Sequence, residues 1–216
     1  MKASIDNLLA RYQRRPSDEA FRELVSRHSG LVHATATRFL GGDQSVADDV
    51  SQQVFLRLLK KASALPSWTC MAGWLSRQTC RISSDFRRSA LRRRTREQAA
   101  LTMMNDQESP LFTDGVDAAL ESLPERDRNV ILLRYFDEQR HRAVGDSLGI
   151  PEDAARKRCT RAVEALRTFF GRNGQTFGAG TLGILLTGLA TKPLSAGMVA
   201  KMLPQTIGLV RQEELV

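Results

Sequence analysis

The stretch that most limits what this chain can fold into is Ser147 to Phe170, "SLGIPEDAARKRCTRAVEALRTFF". Leu148, Gly149 and Ile150 make a tight turn between two helical patterns. Pro151 suits a first helical position, where its missing N–H is not needed. Glu152 and Asp153 then complement the positive end of the helix dipole. Beyond them Ala155, Cys159, Ala162, Val163, Leu166 and Phe170 fall on one stripe at helical spacing. Two helices joined by three or four residues that include Gly have helix-turn-helix spacing. The other side of the second helix carries Asp153, Arg156, Lys157 and Thr160, flanked by Arg158 and Arg161. Such a helix docks its stripe on its neighbours and offers arginines to a major groove, for guanine or for phosphate. Pattern alone equally describes a surface helix with solvated charge.

The same period runs upstream. Phe21, Leu24, Val25, Leu31, Val32, Phe39 and Leu40 fall near helical spacing, and Gly41-Gly42 ends that run. A helix over Ser45 to Lys61 follows, with Ser45 and Asp48 spaced as a capping box. A loop with Pro66 leads to a long helix from Met71. After Met104 the period is lost among Asn, Asp, Ser, Pro and Gly, a linker composition. Helical pattern resumes near Val116, with Pro124 at the first turn of a further helix. No strand-rich stretch interrupts the pattern up to Arg172. The expected fold is all-α: two small helical domains, 15–97 and 116–172, joined by a linker, 98–115, with an apolar extension, 173–216.

Charge narrows the partners. The net charge is +8, which favours polyanions, nucleic acid first and acidic membrane second. It is clustered: residues 81–97 hold seven Arg against two acids, and residues 140–172 hold eight basic residues against four acids. Cys70, Cys80 and Cys159 have neither pairing nor metal-ligand spacing, as in a reducing cytoplasm. His28, His33 and His141 form no triad or ligand set, and no phosphate loop appears. No enzyme, metal or cofactor is expected.

The helix from Ser45 has two faces. Val46, Val50, Val54, Phe55, Leu58 and Leu59 make a core stripe. Asp49, Gln52, Gln53, Leu56 and Lys60 share another side. A leucine ringed by Asp and Gln suits a protein-docking patch, although one exposed leucine needs no special explanation. The next helix carries Trp74, Arg77, Arg81, Arg87 and Arg88, with Trp68 in the loop before it. Arginines with interleaved aromatics suit single-stranded DNA. Trp74 also suits a core position.

The order of these parts resembles a bacterial RNA polymerase sigma factor of the extracytoplasmic-function (ECF) type. The segments that carry the resemblance are "ADDVSQQVFLRLLKK", "GWLSRQTCRISSDFRR" and "LESLPERDRNVILLRYFDEQRHRAVGDSLGIPEDAARKRCTRAVEALR". The resemblance implies region 2 over 15–97 and region 4 over 116–172. It implies that Asp49, Gln52, Gln53 and Leu56 dock on the clamp coiled coil of the polymerase largest subunit. Trp68, Trp74, Arg77, Arg81, Arg87 and Arg88 would hold the unpaired −10 strand. Arg156, Lys157, Arg158, Thr160 and Arg161 would read the −35 element. Core RNA polymerase, promoter DNA and an anti-sigma factor are the partners it implies, in the cytoplasm. The chain departs from the family pattern at Gln53, where Glu is usual, and at Arg81, where Asn is usual. Ala143-Val144-Gly145 stands where Glu-Ile-Ala is common. A DNA-binding regulator acting without polymerase would explain only the second domain, and a degenerate sigma-like adaptor would explain the departures.

The extension contains 19 consecutive uncharged residues, Asn173 to Thr191. That is borderline for a membrane span, and its five glycines weaken a helix. Packing against the helical domains and peripheral membrane contact through 176–210 are both open.

Overall fold

A computed structural model of the chain describes residues 8–67, 69–98 and 112–189. Among these residues every regular element is helical. In the first unit, α1 (Leu8–Arg14), α2 (Asp18–Phe39), α3 (Gln44–Lys61) and the long α4 (Met71–Gln98) pack around Phe21, Leu24, Val54, Phe55, Leu58 and Leu75. Gln13 ties α1 to the end of α3 by donating from Nε2 to the carbonyls of Ala62 (2.7 Å) and Leu65 (2.6 Å).

The helix ends follow their residues. The Ser17 hydroxyl caps α2 by accepting from the Ala20 N–H. Gly41 and Gly42 then turn the chain at φ +64° and +91°, backbone that other residues rarely adopt. The expected capping box at Ser45 is not what starts α3. Asp43 is the cap, accepting from Val46 N–H at 3.1 Å, and the helix begins at Gln44. Asp48 is thereby free of capping and meets His33 Nε2 at 3.0 Å. All six stripe residues of α3 face the core, with Val50, Val54, Phe55 and Leu58 fully covered.

In the second unit, α5 (Phe112–Ser122) begins inside the stretch read as linker. α6 (Glu125–Ile131) runs into one π-helical turn, Leu132–Phe136. α7 (His141–Leu148) and α8 (Glu152–Arg172) follow, then α9 (Ala179–Leu189). Pro124 and Pro151 sit one residue before their helices, as N-caps. The six stripe residues of α8 are all buried, as periodicity required. α9 lies on α8 and the π turn with Leu182 and Leu186 wholly buried. Its Gly183 faces the Tyr135 ring. Part of the extension is therefore core of the second unit. α9 has 11 residues, about 16 Å of helix, against a hydrocarbon layer of about 30 Å. No helix among the described residues is long and apolar enough to cross a membrane. Residues 190–210 of the stretch considered for membrane contact lie outside the described residues.

The two units touch. α2 packs on α5, and α4 packs on α6 and the π turn. Ala72 of α4 belongs to the second core, and Leu31 and Cys70 pack against it.

Candidate nucleic-acid interface and docking face

The α7–α8 turn is built by two glycines. Gly149 ends α7 in the left-handed region at φ +67°. Gly145 lies so close to the turn that a Cβ there would sit 2.6 Å from the Ile150 carbonyl. The Ile150 N–H returns to the Gly145 carbonyl at 2.9 Å. The departure from the usual alanine at 145 thus matches a turn drawn tightly against α7. It leaves the helix-turn-helix intact.

α8 then holds Arg156, Lys157, Thr160 and Arg161 exposed on one side. Arg156 touches Glu152 at 3.3 Å, an exposed pair that binds weakly and releases easily. Arg158 differs. It is half-buried at the edge of the apolar stripe, and its guanidinium donates to Asp127 Oδ1 at 2.8 Å. It fastens α8 to α6 rather than joining the exposed row. His141 begins α7 near this face; burial and the charges of Arg134 and Arg156 lower its pKa.

On α3, Asp49 and Gln53 are exposed, and Gln52 and Leu56 are half-buried. Leu56 is not a lone surface leucine. With Gln53, Arg57, Lys60, Ile82, Asp85 and Phe86 it lines a groove of about 350 Å³ between α3 and α4. Apolar Leu56, Ile82 and Phe86 sit within a charged and amide rim, the composition of a protein-docking site. Arg57, Asp85 and Phe86 escape a reading of the sequence because they join the site only when α4 crosses α3.

α4 presents Arg81, Arg87, Arg88 and Arg92 to solvent. Arg88 contacts Asp85 at 2.8 Å one turn away. Trp74 is half-buried and packs on the first core, the plainer of the two roles its position allows. Arg77 is exposed on α4 but forms an ion pair with Glu125 of the second unit. Trp68 lies outside the described residues. The predicted strand-binding arginines lie along one long helix, and half-buried Trp74 shares the face of that helix that carries Arg77 and Arg81, three and seven residues on.

No cluster of His, Cys, Asp or Glu among the described residues is arranged for a metal. Cys80 is buried and its thiol pKa is raised by desolvation, so it holds its proton. Burial also raises the thiols of Cys70 and Cys159. Burial, with the hydrogen bond to Cys159, pushes Tyr135 up to about 12.

Comparison with known proteins decides the family. Residues 24–97 match the model of Sigma-70 region 2, and residues 119–168 match that of Sigma-70, region 4; together they span more than half the chain. The chain belongs to the sigma-70 family. Its relatives place this sigma-family chain with the ECF type. It is 29% identical over 174 residues to the probable RNA polymerase sigma factor RfaY of Xanthomonas campestris pv. campestris, covering 76% of this chain and 43% of that protein. It is 28% identical over 160 residues to the ECF RNA polymerase sigma factor SigE of Mycolicibacterium smegmatis, covering 70% and 62%. It is 27% identical over 169 residues to ECF RNA polymerase sigma factor SigW of Bacillus subtilis, covering 69% and 88%. The chain thus spans less than two thirds of the first two relatives. Among solved structures, it resembles the sigma factor RpoE of Bartonella quintana, crystallised with the anti-sigma factor NepR. Identity there is 18%, the TM-score is 0.35, and 72% of this chain and 98% of that chain are covered. A likeness that loose carries no argument.

Proposed function

We propose that this chain is a promoter-recognition subunit that binds core RNA polymerase and directs transcription initiation. One observation supports the reading: a chain that matches both sigma regions, and whose described regular elements are all helical, carries two separate surfaces of contrasting chemistry. The first is the amide-and-acid rim around the α3–α4 groove; the second is the exposed arginine row on α8. A regulator that binds DNA alone has no use for the first face. In this reading Asp49, Gln52, Gln53 and Leu56 dock on the polymerase clamp helices. Trp68, Trp74, Arg77, Arg81, Arg87 and Arg88 hold the unpaired −10 strand. Arg156, Lys157, Thr160 and Arg161 meet the −35 element, and Arg158 supports them through Asp127. The domain limits are those of the sequence reading, with α9 added to the second domain.

The polymerase performs the chemistry; this subunit supplies binding energy and strand selection. It works in the cytoplasm, with the polymerase. An anti-sigma factor is a natural further partner.

Run-off transcription tests this. Purified full-length chain is mixed with core polymerase and the DNA upstream of its own gene. Transcripts that depend on the chain support the reading. Core binding without any transcript on a panel of upstream regions points to an adaptor. DNA binding without core binding points to a helix-turn-helix regulator.

A further inference from the structure

The side of the second unit that carries the α8 arginine row does not end at α8. His141 opens α7, which packs on α8 and on the π turn. It is half-buried, between exposed Arg140 and Arg142 in sequence. Burial is the largest influence on its ring and opposes a positive charge there. Arg134 of the π turn and Arg156 of α8 oppose it too, and Glu152 of α8 favours it. The result is a lowered pKa, so His141 is neutral at about pH 7 in the free chain.

The acids that can offset these arginines are mostly engaged elsewhere. Asp117 of α5 is taken by Arg38 of α2 in a two-point ion pair: Nε donates to Oδ2 at 3.1 Å, and an Nη donates to Oδ1 at 3.0 Å. Both side chains are buried, at 7% and 4% exposure. Arg27 of α2 reaches Asp137 at 3.4 Å, and Gln139 Nε2 donates to the same carboxylate at 3.0 Å. Glu125 pairs with Arg77, and Asp127 with Arg158. Glu152 is shared with Arg156. Glu138 before α7 and Asp146 within it are exposed to solvent, which screens them. Arg140 and Arg142 have no acidic partner among the described residues. The start of α7 is thus a patch of positive charge beside a neutral imidazole.

In a helix-turn-helix the second helix enters the groove while the first crosses the sugar–phosphate backbone. Setting Arg156, Lys157, Thr160 and Arg161 against a duplex therefore brings the start of α7 to a phosphate strand. A phosphate there reverses the electrostatics of His141. It offsets the arginines that oppose a charged ring, and it attracts that charge itself. The imidazolium then donates to a phosphate oxygen in a charge-assisted hydrogen bond. An ordinary surface histidine predicts no such link between proton and DNA.

We propose that His141 is a proton-linked phosphate contact: with Arg140 and Arg142 it extends the DNA-binding surface from α8 onto α7, and it takes up a proton as duplex DNA binds. This rests on the duplex-binding role proposed above for α8. The free ring is neutral and the bound ring charged, so binding consumes a proton and strengthens as pH falls, by at most about tenfold per pH unit.

Fluorescence anisotropy tests this, with the full chain and a labelled duplex of about 30 base pairs from upstream of its own gene. Ionic strength is held constant from about pH 8.5 to about pH 6.5, and circular dichroism checks folding at each end. Wild-type affinity is expected to rise about three- to tenfold across that range. His141→Gln is expected to flatten the profile, and His141→Lys to flatten it at the higher affinity. Proton resonances of the His141 ring are expected to move to their imidazolium positions when the duplex is added at about pH 7. A flat wild-type profile overturns the proposal, as does a His141→Gln protein that keeps the rise or a ring that stays neutral in the complex. Binding that is flat with pH yet weakened by Arg156→Ala with Arg161→Ala removes the His141 contact and leaves the α8 reading standing. No duplex binding at any pH overturns both.

Discussion

Replacing Leu182 by alanine will destabilise the second helical unit by about 2–5 kcal/mol, the usual cost of removing a fully buried leucine from a core. Leu182 and Leu186 are each 0% exposed, one turn apart on α9, and both sit in the core that contains Leu166 and Phe170. Phe177, just before α9, meets Phe170 edge-on at 5.5 Å. Domains of this size hold only about 5–15 kcal/mol in total. Two such losses, even if less than additive because the sites are neighbours, bring the unit near its unfolding threshold. Ile184 is the built-in control. It lies on the same helix, is 74% exposed, and its replacement by alanine will cost under about 0.5 kcal/mol. The assay is urea denaturation followed by circular dichroism, with hydrogen exchange to localise the loss to α6, α8 and α9. A Leu182→Ala protein no less stable than Ile184→Ala would refute the docking of α9 and return the extension to a membrane or unstructured role. The same logic says that a chain cut after Arg172 loses stability as well as any regulation the extension carries. Its activity must be judged with that in mind.

Arg156→Ala with Arg161→Ala will weaken binding to promoter-length duplex DNA and flatten the log–log salt dependence by about 2, one unit for each phosphate no longer neutralised; filter binding across a salt series reads both. Arg158→Ala will act on stability instead, by about 1 kcal/mol through Asp127, with the salt slope held. Asp49→Arg with Gln52→Ala will lower affinity for core polymerase at least tenfold in a pull-down titration without loss of helicity; unchanged affinity counts against the docking face. Acid will loosen the fold through His28, whose pKa burial pushes down to about 4 despite the pull of Asp137. The folded chain resists its protonation. Its neutral form is therefore fully accommodated above about pH 6.5, and stability from this site falls as pH drops from about 6.5 to about 4, by on the order of 3 kcal/mol. His28→Gln will flatten that part of the pH–stability curve.

What can be read from sequence is whatever repeats at the helical period. The α8 stripe from Ala155 to Phe170 and the two faces of α3 are legible because each lies within one helix and burial follows the turn angle. The helix-turn-helix is legible because Gly149 and Pro151 punctuate it. The α3 cap is not, because Asp43 and Ser45 are both good caps, and the choice depends on how Gly41-Gly42 delivers the chain. Arg158 falls in sequence among the residues proposed to face DNA although it borders the stripe; its partner Asp127 lies 31 residues upstream. The groove residues Asp85 and Phe86, and Arg38, Asp117 and Asn129 where the two units meet, have no periodic signature at all. Their roles come from which helices cross. Whether the extension packs, spans or floats turns on Leu182 and Leu186 meeting a surface made by Tyr135 and Phe170, which periodicity does not supply.

The buried Arg38–Asp117 pair also constrains how this chain can change over generations. Losing either partner strands the other charge in a dry interface, whereas replacing both by apolar residues of similar size is tolerated far better. Single substitutions at these positions are therefore disfavoured wherever the contact between the two units is kept, and paired ones are open. Positions 38 and 117 of relatives that keep this contact are expected to vary together: both charged, both reversed, or both apolar. A lineage that has lost one partner is expected to have lost the contact between the units with it.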